Sequence, residues 1–117
     1  MKLAYIAGPF RAKNAWQVEC NVRAAEKTSF VIAQMNIAAI CPHANGRFFN
    51  GTLTDEYWLE STAEMLKRCD MMILVDYISP EVSEGTASEL KIARSLDIPV
   101  FFVVDNCLVV YDGDLTK

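Results

Sequence analysis

Met71-Met72-Ile73-Leu74-Val75 is followed, six residues later, by Val82-Ser83-Glu84-Gly85-Thr86-Ala87-Ser88-Glu89-Leu90. The first run is continuous, apolar and of strand length, which reads as a strand buried on both faces. Ile78-Ser79-Pro80 breaks the pattern. The second run then opens a helix, because Glu89, Ile92, Ala93 and Leu96 fall at i, i+3, i+4 and i+7 on one face. Three of these are apolar and are expected to face a sheet. The fourth, Glu89, puts a carboxylate at the loop end of the same stripe. A buried carboxylate is costly unless something pairs or uses it. It would also sit beyond the carboxyl end of a strand, where open α/β sheets bind ligands. The plain alternative is a rim glutamate leaning into solvent.

Outward from this unit, strand and helix patterns alternate. Lys2 to Ala7 reads as the first strand, ended by Gly8-Pro9-Phe10-Arg11. A helix is expected from about Ala15 to Met35, with Trp16, Cys20, Ala24, Val31 and Met35 on its period. Asn36 to Pro42 is a turn and then the second strand, and His43 to Thr54 reads as a loop. Asp55 is the expected cap of a helix running to Arg68. Its inner face holds Trp58, Thr62, Met65, Leu66 and Cys69. The third strand begins at Asp70, Pro99 to Val104 is the fourth, and Leu108 to Tyr111 is a candidate fifth. This alternation predicts a parallel sheet with helices on both faces. Right-handed crossovers place the first strand inside, in an order such as 2-1-3-4. All 117 residues read as one domain, with about 105–117 as its tail.

With 52% hydrophobic and 22% charged residues the chain is globular, and a net charge of −4 argues against a nucleic-acid polymer as partner. Leu3 to Ala7 is too short for a secretion signal, and no run reaches the length of a membrane span, so a cytoplasmic protein is expected. Cysteines 20, 41, 69 and 107 form no CxxC pair and His43 is the only histidine, which points away from zinc. They read as buried thiols in a reducing compartment. Asn50-Gly51-Thr52 matches a glycosylation sequon but reads as a turn.

Gly8-Pro9-Phe10-Arg11 fits neither the P-loop nor the GxGxxG spacing. Gly8 can let a ligand approach the backbone and Arg11 can pair with a phosphate; otherwise this is a tight turn with a solvated arginine. Ser83-Glu84-Gly85-Thr86 is either an ordinary helix start or an anion seat with Ser83 and Gly85 at its mouth. His43 is a candidate donor to a phosphate or base, or a loop histidine without a role. Tyr5 is core, or reaches the site with its hydroxyl.

Tyr5-Ile6-Ala7-Gly8-Pro9-Phe10, Pro42-His43, Arg68-Cys69-Asp70 and Ser83 to Glu89, in this order and spacing, resemble the nucleoside 2-deoxyribosyltransferase superfamily. The resemblance covers roughly residues 1 to 105. It implies a flavodoxin-like three-layer sandwich with a four- to five-stranded parallel sheet. It also implies cleavage or transfer at the N-glycosidic bond of a nucleoside or its monophosphate, without cofactor or metal. Glu89 matches the family nucleophile, which forms a glycosyl-enzyme intermediate, and Tyr5 matches the tyrosine that positions it. Gly8, Phe10, Arg11, His43, Ser83 and Gly85 are the implied substrate contacts. The position six residues before the nucleophile is similar to the serine of the deoxynucleoside 5′-monophosphate N-glycosidases, rather than the aspartate of enzymes acting on free nucleosides. A hydroxyl there can donate to a phosphate that a carboxylate would repel. The resemblance further implies a homodimer or larger assembly. Asn106 lies where a neighbouring chain contributes in relatives, without an assigned role.

One position departs from the family. The catalytic aspartate expected eight residues before Asp70 is Thr62, and Glu60 and Glu64 point elsewhere on a regular helix. This supports a second expectation, a nucleotide-binding or sensing module without turnover. A redox or signalling domain of flavodoxin type is a third, with no flavin loop or phospho-acceptor cluster to support it.

Overall fold

A computed structural model of the chain describes residues 1–46, 52–75 and 84–112. The elements are β1 (Leu3–Ala7), α1 (Ala15–Ala33), β2 (Ala38–Ile40), α2 (Pro42–Gly46), α3 (Asp55–Lys67), β3 (Met71–Leu74), α4 (Glu84–Ser95), β4 (Val100–Val104) and β5 (Cys107–Val110). They form one sheet in the order β2-β1-β3-β4-β5. The first four strands are parallel, as the alternation requires, with Tyr5 beside Met72 and Ile40. β5 departs from the all-parallel expectation, because it runs antiparallel to β4. Asp105 and Asn106 both have positive φ, 49° and 61°, which is the backbone of a two-residue hairpin turn. That demand accounts for Asn106, and it brings part of the stretch read as tail into the sheet, with Tyr111 buried beyond it.

The two faces of the sheet follow the period of two. Tyr5, Ala7, Met72 and Leu74 point toward α3 and α4, packing with Leu66, Cys69, Leu90 and Ala93. Ala4, Ile6, Ile73 and Val75 point the other way, against Ala25 and Ile32 of α1. Burial also pushes the Cys69 thiol up to about 11, so it stays protonated and inert.

Several local expectations change on folding. The face of α1 that meets the sheet carries Val22, Ala25 and Ile32, not the Trp16–Cys20 stripe. Trp16 is exposed, with the Arg23 guanidinium 5.0 Å from its ring centroid, and Cys20 and Cys107 are exposed thiols rather than buried ones. Both stripes have helical spacing, and the contact with β1 and β3 chooses between them. In α4, Thr86, Leu90 and Ala93 are buried while Leu96 is exposed, because the helix turns its Leu90 edge to the core. The inner face of α3 follows the expected pattern, with Leu66 and Cys69 buried and Trp58, Thr62 and Met65 half-buried. Its cap is Thr54, whose hydroxyl accepts from the Tyr57 N–H at 3.1 Å, so Asp55 is the first helical residue instead. Pro42, read as the end of the second strand, and His43 to Gly46, read as loop, form the short helix α2, with proline at a first-turn position that does not need its missing N–H. At the amino ends of the central strands the Asp70 carboxylate accepts from the Leu3 N–H at 2.8 Å, which ties the starts of β1 and β3 together.

Candidate active site

The carboxyl ends of β1 and β2 and the start of α4 meet the N-terminal half of α3 around a cleft of about 590 Å³, room for a small molecule. Tyr5, Gly8, Phe10, Arg11, His43, Gly85 and Glu89 all line it, so the fold brings together every predicted site residue but one. That one, Ser83, lies outside the described residues.

Glu89 stands in the first turns of α4 at the inner end of the cleft. Burial pushes its carboxyl from an ordinary 4.5 up to about 7, partly offset by a hydrogen bond from the Tyr5 hydroxyl. Near neutral pH the carboxyl is therefore poised between its two forms. Its Oε2 is buried and has no hydrogen-bond partner among the described residues. One side of the carboxylate is thus held and the other is left for something else. Tyr5 is fully buried in the middle of β1, and its hydroxyl neighbours both Glu89 and Thr62. Burial and the Glu89 charge raise its ionisation well above the usual tyrosine range, so it acts only as a neutral hydrogen-bond group.

The loop after β1 is fixed by side chains from two helices. Nε2 of His43 lies 3.1 Å from the Gly8 carbonyl and 2.9 Å from that of Pro9. Carbonyls only accept, so Nε2 carries the proton. The Asn21 amide donates to the Phe10 carbonyl at 3.1 Å, and the Phe10 ring meets the His43 ring edge-on at 5.8 Å. His43 is 6% exposed, and burial lowers its basicity, so it is a neutral loop clamp with its proton already committed. The expected donation from His43 to a phosphate or base does not fit this arrangement. Its free nitrogen, Nδ1, is a buried acceptor.

The two glycines differ. A Cβ on Gly8 would stand 2.9 Å from the Val75 Cβ, so this glycine is required by packing between the ends of β1 and β3. A Cβ on Gly85 meets nothing within 4 Å. Arg11 forms an ion pair with Asp55 at the start of α3, and both side chains are largely exposed.

Asp55, Trp58 and Leu59, which the sequence reading did not assign to the site, form a second lining with Thr62, the residue at the family's aspartate position. Their spacing, i, i+3, i+4 and i+7, was the available signal, since Trp58 and Thr62 already marked the inward face. Thr62 donates to the Trp58 carbonyl at 2.9 Å.

The backbone resembles solved structures, among them two 2-deoxyribosyltransferases. Against the 2-deoxyribosyltransferase of Bacillus psychrosaccharolyticus the TM-score is 0.61 at 22% identity, over 86% of this chain and 70% of that one. The 2-desoxiribosyltransferase of Leishmania mexicana gives 0.51 at 23%, over 97% and 81%. A conserved protein from Enterococcus faecalis V583 gives 0.64 at 19%, over 87% and 62%. What is shared at these identities is the flavodoxin-like fold of the 2-deoxyribosyltransferases. Residues 2–103 match a family described as a domain of unknown function (DUF7768), and the chain belongs to that family. No curated protein matches it in sequence. Among the described residues, no helix is long and apolar enough to cross a membrane.

Proposed function

We propose that the protein cleaves, or transfers across, the N-glycosidic bond of a nucleoside 5′-monophosphate, with Glu89 as nucleophile. The observation that carries this reading is the Glu89 carboxylate itself, buried at the inner end of the cleft, held by Tyr5 and unpartnered at Oε2. An ionised Oε2 attacks C1′ of the sugar, the bond to the base breaks, and water or a second base resolves the glycosyl ester. Tyr5 holds the other side of the carboxylate so that the attacking lone pair keeps its direction. The fold shared with two 2-deoxyribosyltransferases supports a nucleoside-type substrate.

The monophosphate assignment rests on Arg11 and on Ser83 in the sequence. Arg11 lines the cleft and uses one donor on Asp55, which leaves the rest of its guanidinium fork for an anion. Gly85, with open space beside it, lets a ligand approach the start of α4.

A second reading has its own observation. Thr62, beside Tyr5, supplies a hydroxyl where a carboxylate would serve as acid, and this favours a nucleotide-binding module without turnover. Chromatographic detection of free base separates the two. The protein is incubated with nucleosides and their 5′-monophosphates, with Glu89→Ala as control. Release from monophosphates that disappears in the variant is the expected result. Release that survives in Glu89→Ala rejects the mechanism, and calorimetric binding without release selects the binding module.

A further inference from the structure

A nucleobase leaves more easily when a nearby acid protonates it, and the described residues of the cleft hold few groups that could. His43, the one imidazole in the chain, has its Nε2 proton on the Gly8 and Pro9 carbonyls and its Nδ1 buried. Tyr5 directs its hydroxyl to Glu89, and Thr62 directs its proton to the Trp58 carbonyl. Asp55 is exposed and already paired with the Arg11 guanidinium. Glu89 must be ionised to attack. Between Asp55 and Thr62 on α3 the lining is apolar, formed by Trp58 and Leu59.

Resting on the mechanism proposed above, we infer that the base departs from this cleft as an anion, so that the preferred substrates carry an imide base of the uracil or thymine kind. In the first step the Glu89 oxygen bonds to C1′ and the electron pair of the C1′–N bond passes to the ring nitrogen. The anion of an imide base spreads that charge over two ring carbonyls. In the second step water cleaves the glycosyl ester, the carboxylate is restored, and the proton lost by water neutralises the departed base. Adenine and cytosine leave well only when a ring nitrogen is protonated first, and among the described residues His43, Tyr5 and Thr62 already have their protons committed. General acid assistance contributes about a hundredfold or more, and that is the discrimination expected here.

The experiment compares kcat/KM for base release from the 5′-monophosphates of deoxyuridine, thymidine, deoxyadenosine and deoxycytidine. A p-nitrophenyl 2-deoxyriboside 5-phosphate, whose leaving group needs no proton, is run beside them. Uracil and thymine release about a hundredfold faster than adenine and cytosine is the expected result. Thr62→Asp places an acid beside the cleft and narrows the gap by raising adenine release, and the wild-type panel stands alone should that variant not fold. Equal or faster release of adenine or cytosine overturns the inference. So does cleavage of the nitrophenyl compound alone, which leaves the Glu89 mechanism standing. Failure to cleave any of the five removes the mechanism and the inference with it.

Discussion

Gly8 and Gly85 both line the cleft, yet a methyl group added to each meets different surroundings. At Gly8 it runs into Val75, and at Gly85 it enters open space. The contrast extends to their neighbours. Around Gly8, the Gly8, Pro9 and Phe10 carbonyls are all held by His43 or Asn21, so this wall turns its donors onto its own backbone and keeps the His43 Nδ1 acceptor as its unpartnered buried atom among the described residues. Around Gly85, Glu89 keeps an unpartnered buried oxygen. The first wall maintains shape, and the second is available for chemistry. A residue at a cleft therefore earns a functional reading from what it leaves unsatisfied, not from its position alone.

The strongest test of that division is Glu89→Gln. Loss of the nucleophile should lower base release by about 10⁴-fold or more while the fold persists. The same variant has a stability signature. The folded-state carboxyl titrates above its ordinary value, so its neutral form favours folding at acid pH, and that contribution is lost as pH rises through about 7. Glutamine does not titrate. In urea melts the stability of Glu89→Gln relative to wild type should thus grow by up to about 3 kcal/mol between acid pH and pH 8. In wild type, kcat/KM should rise with pH and level off above about 7. A flat profile would break the assignment of Glu89 as the ionising group.

Next comes the glycine pair. Gly8→Ala forces β1 from β3 and should cost about 1–3 kcal/mol. Gly85→Ala should change stability by less than about 1 kcal/mol, with alanine the better helix former, while raising KM for the nucleotide. Equal stability losses in both variants would erase the distinction between the walls.

His43→Gln tests the clamp. It should destabilise the fold by about 1 kcal/mol with little change in the pH dependence of kcat. Burial keeps His43 neutral when folded, so its contribution is present above its ordinary 6.5 and is lost as pH falls below that. Wild type should accordingly lose more stability than His43→Gln on acidification. The smallest effect is expected at the rim. Asp55→Asn breaks an exposed ion pair and should alter stability by less than about 1 kcal/mol. Its effect on KM should appear with monophosphates and not with nucleosides, because it acts through Arg11.

Much of this molecule was legible before folding. Apolar runs of strand length between helical periods dictate a doubly covered parallel sheet, and the crossover rule places β1 inside it. The helical spacing of α4 puts Glu89 on an inward stripe at the mouth of the sheet. Periodicity alone could not choose the buried edge of α1 or α4, because two stripes fit equally well and only the contact with the sheet separates them. Nor could it show that β5 would return antiparallel, since that depends on Asp105 and Asn106 both accepting positive φ. Linear sequence also cannot report where a polar group places its bond. His43 and Gly8 are 35 residues apart, and Arg11 and Asp55 are 44 apart. Local patterns thus determined which residues reach the cleft. The tertiary structure decided which of them are already satisfied there, because hydrogen bonds and burial are set by neighbours that only folding supplies.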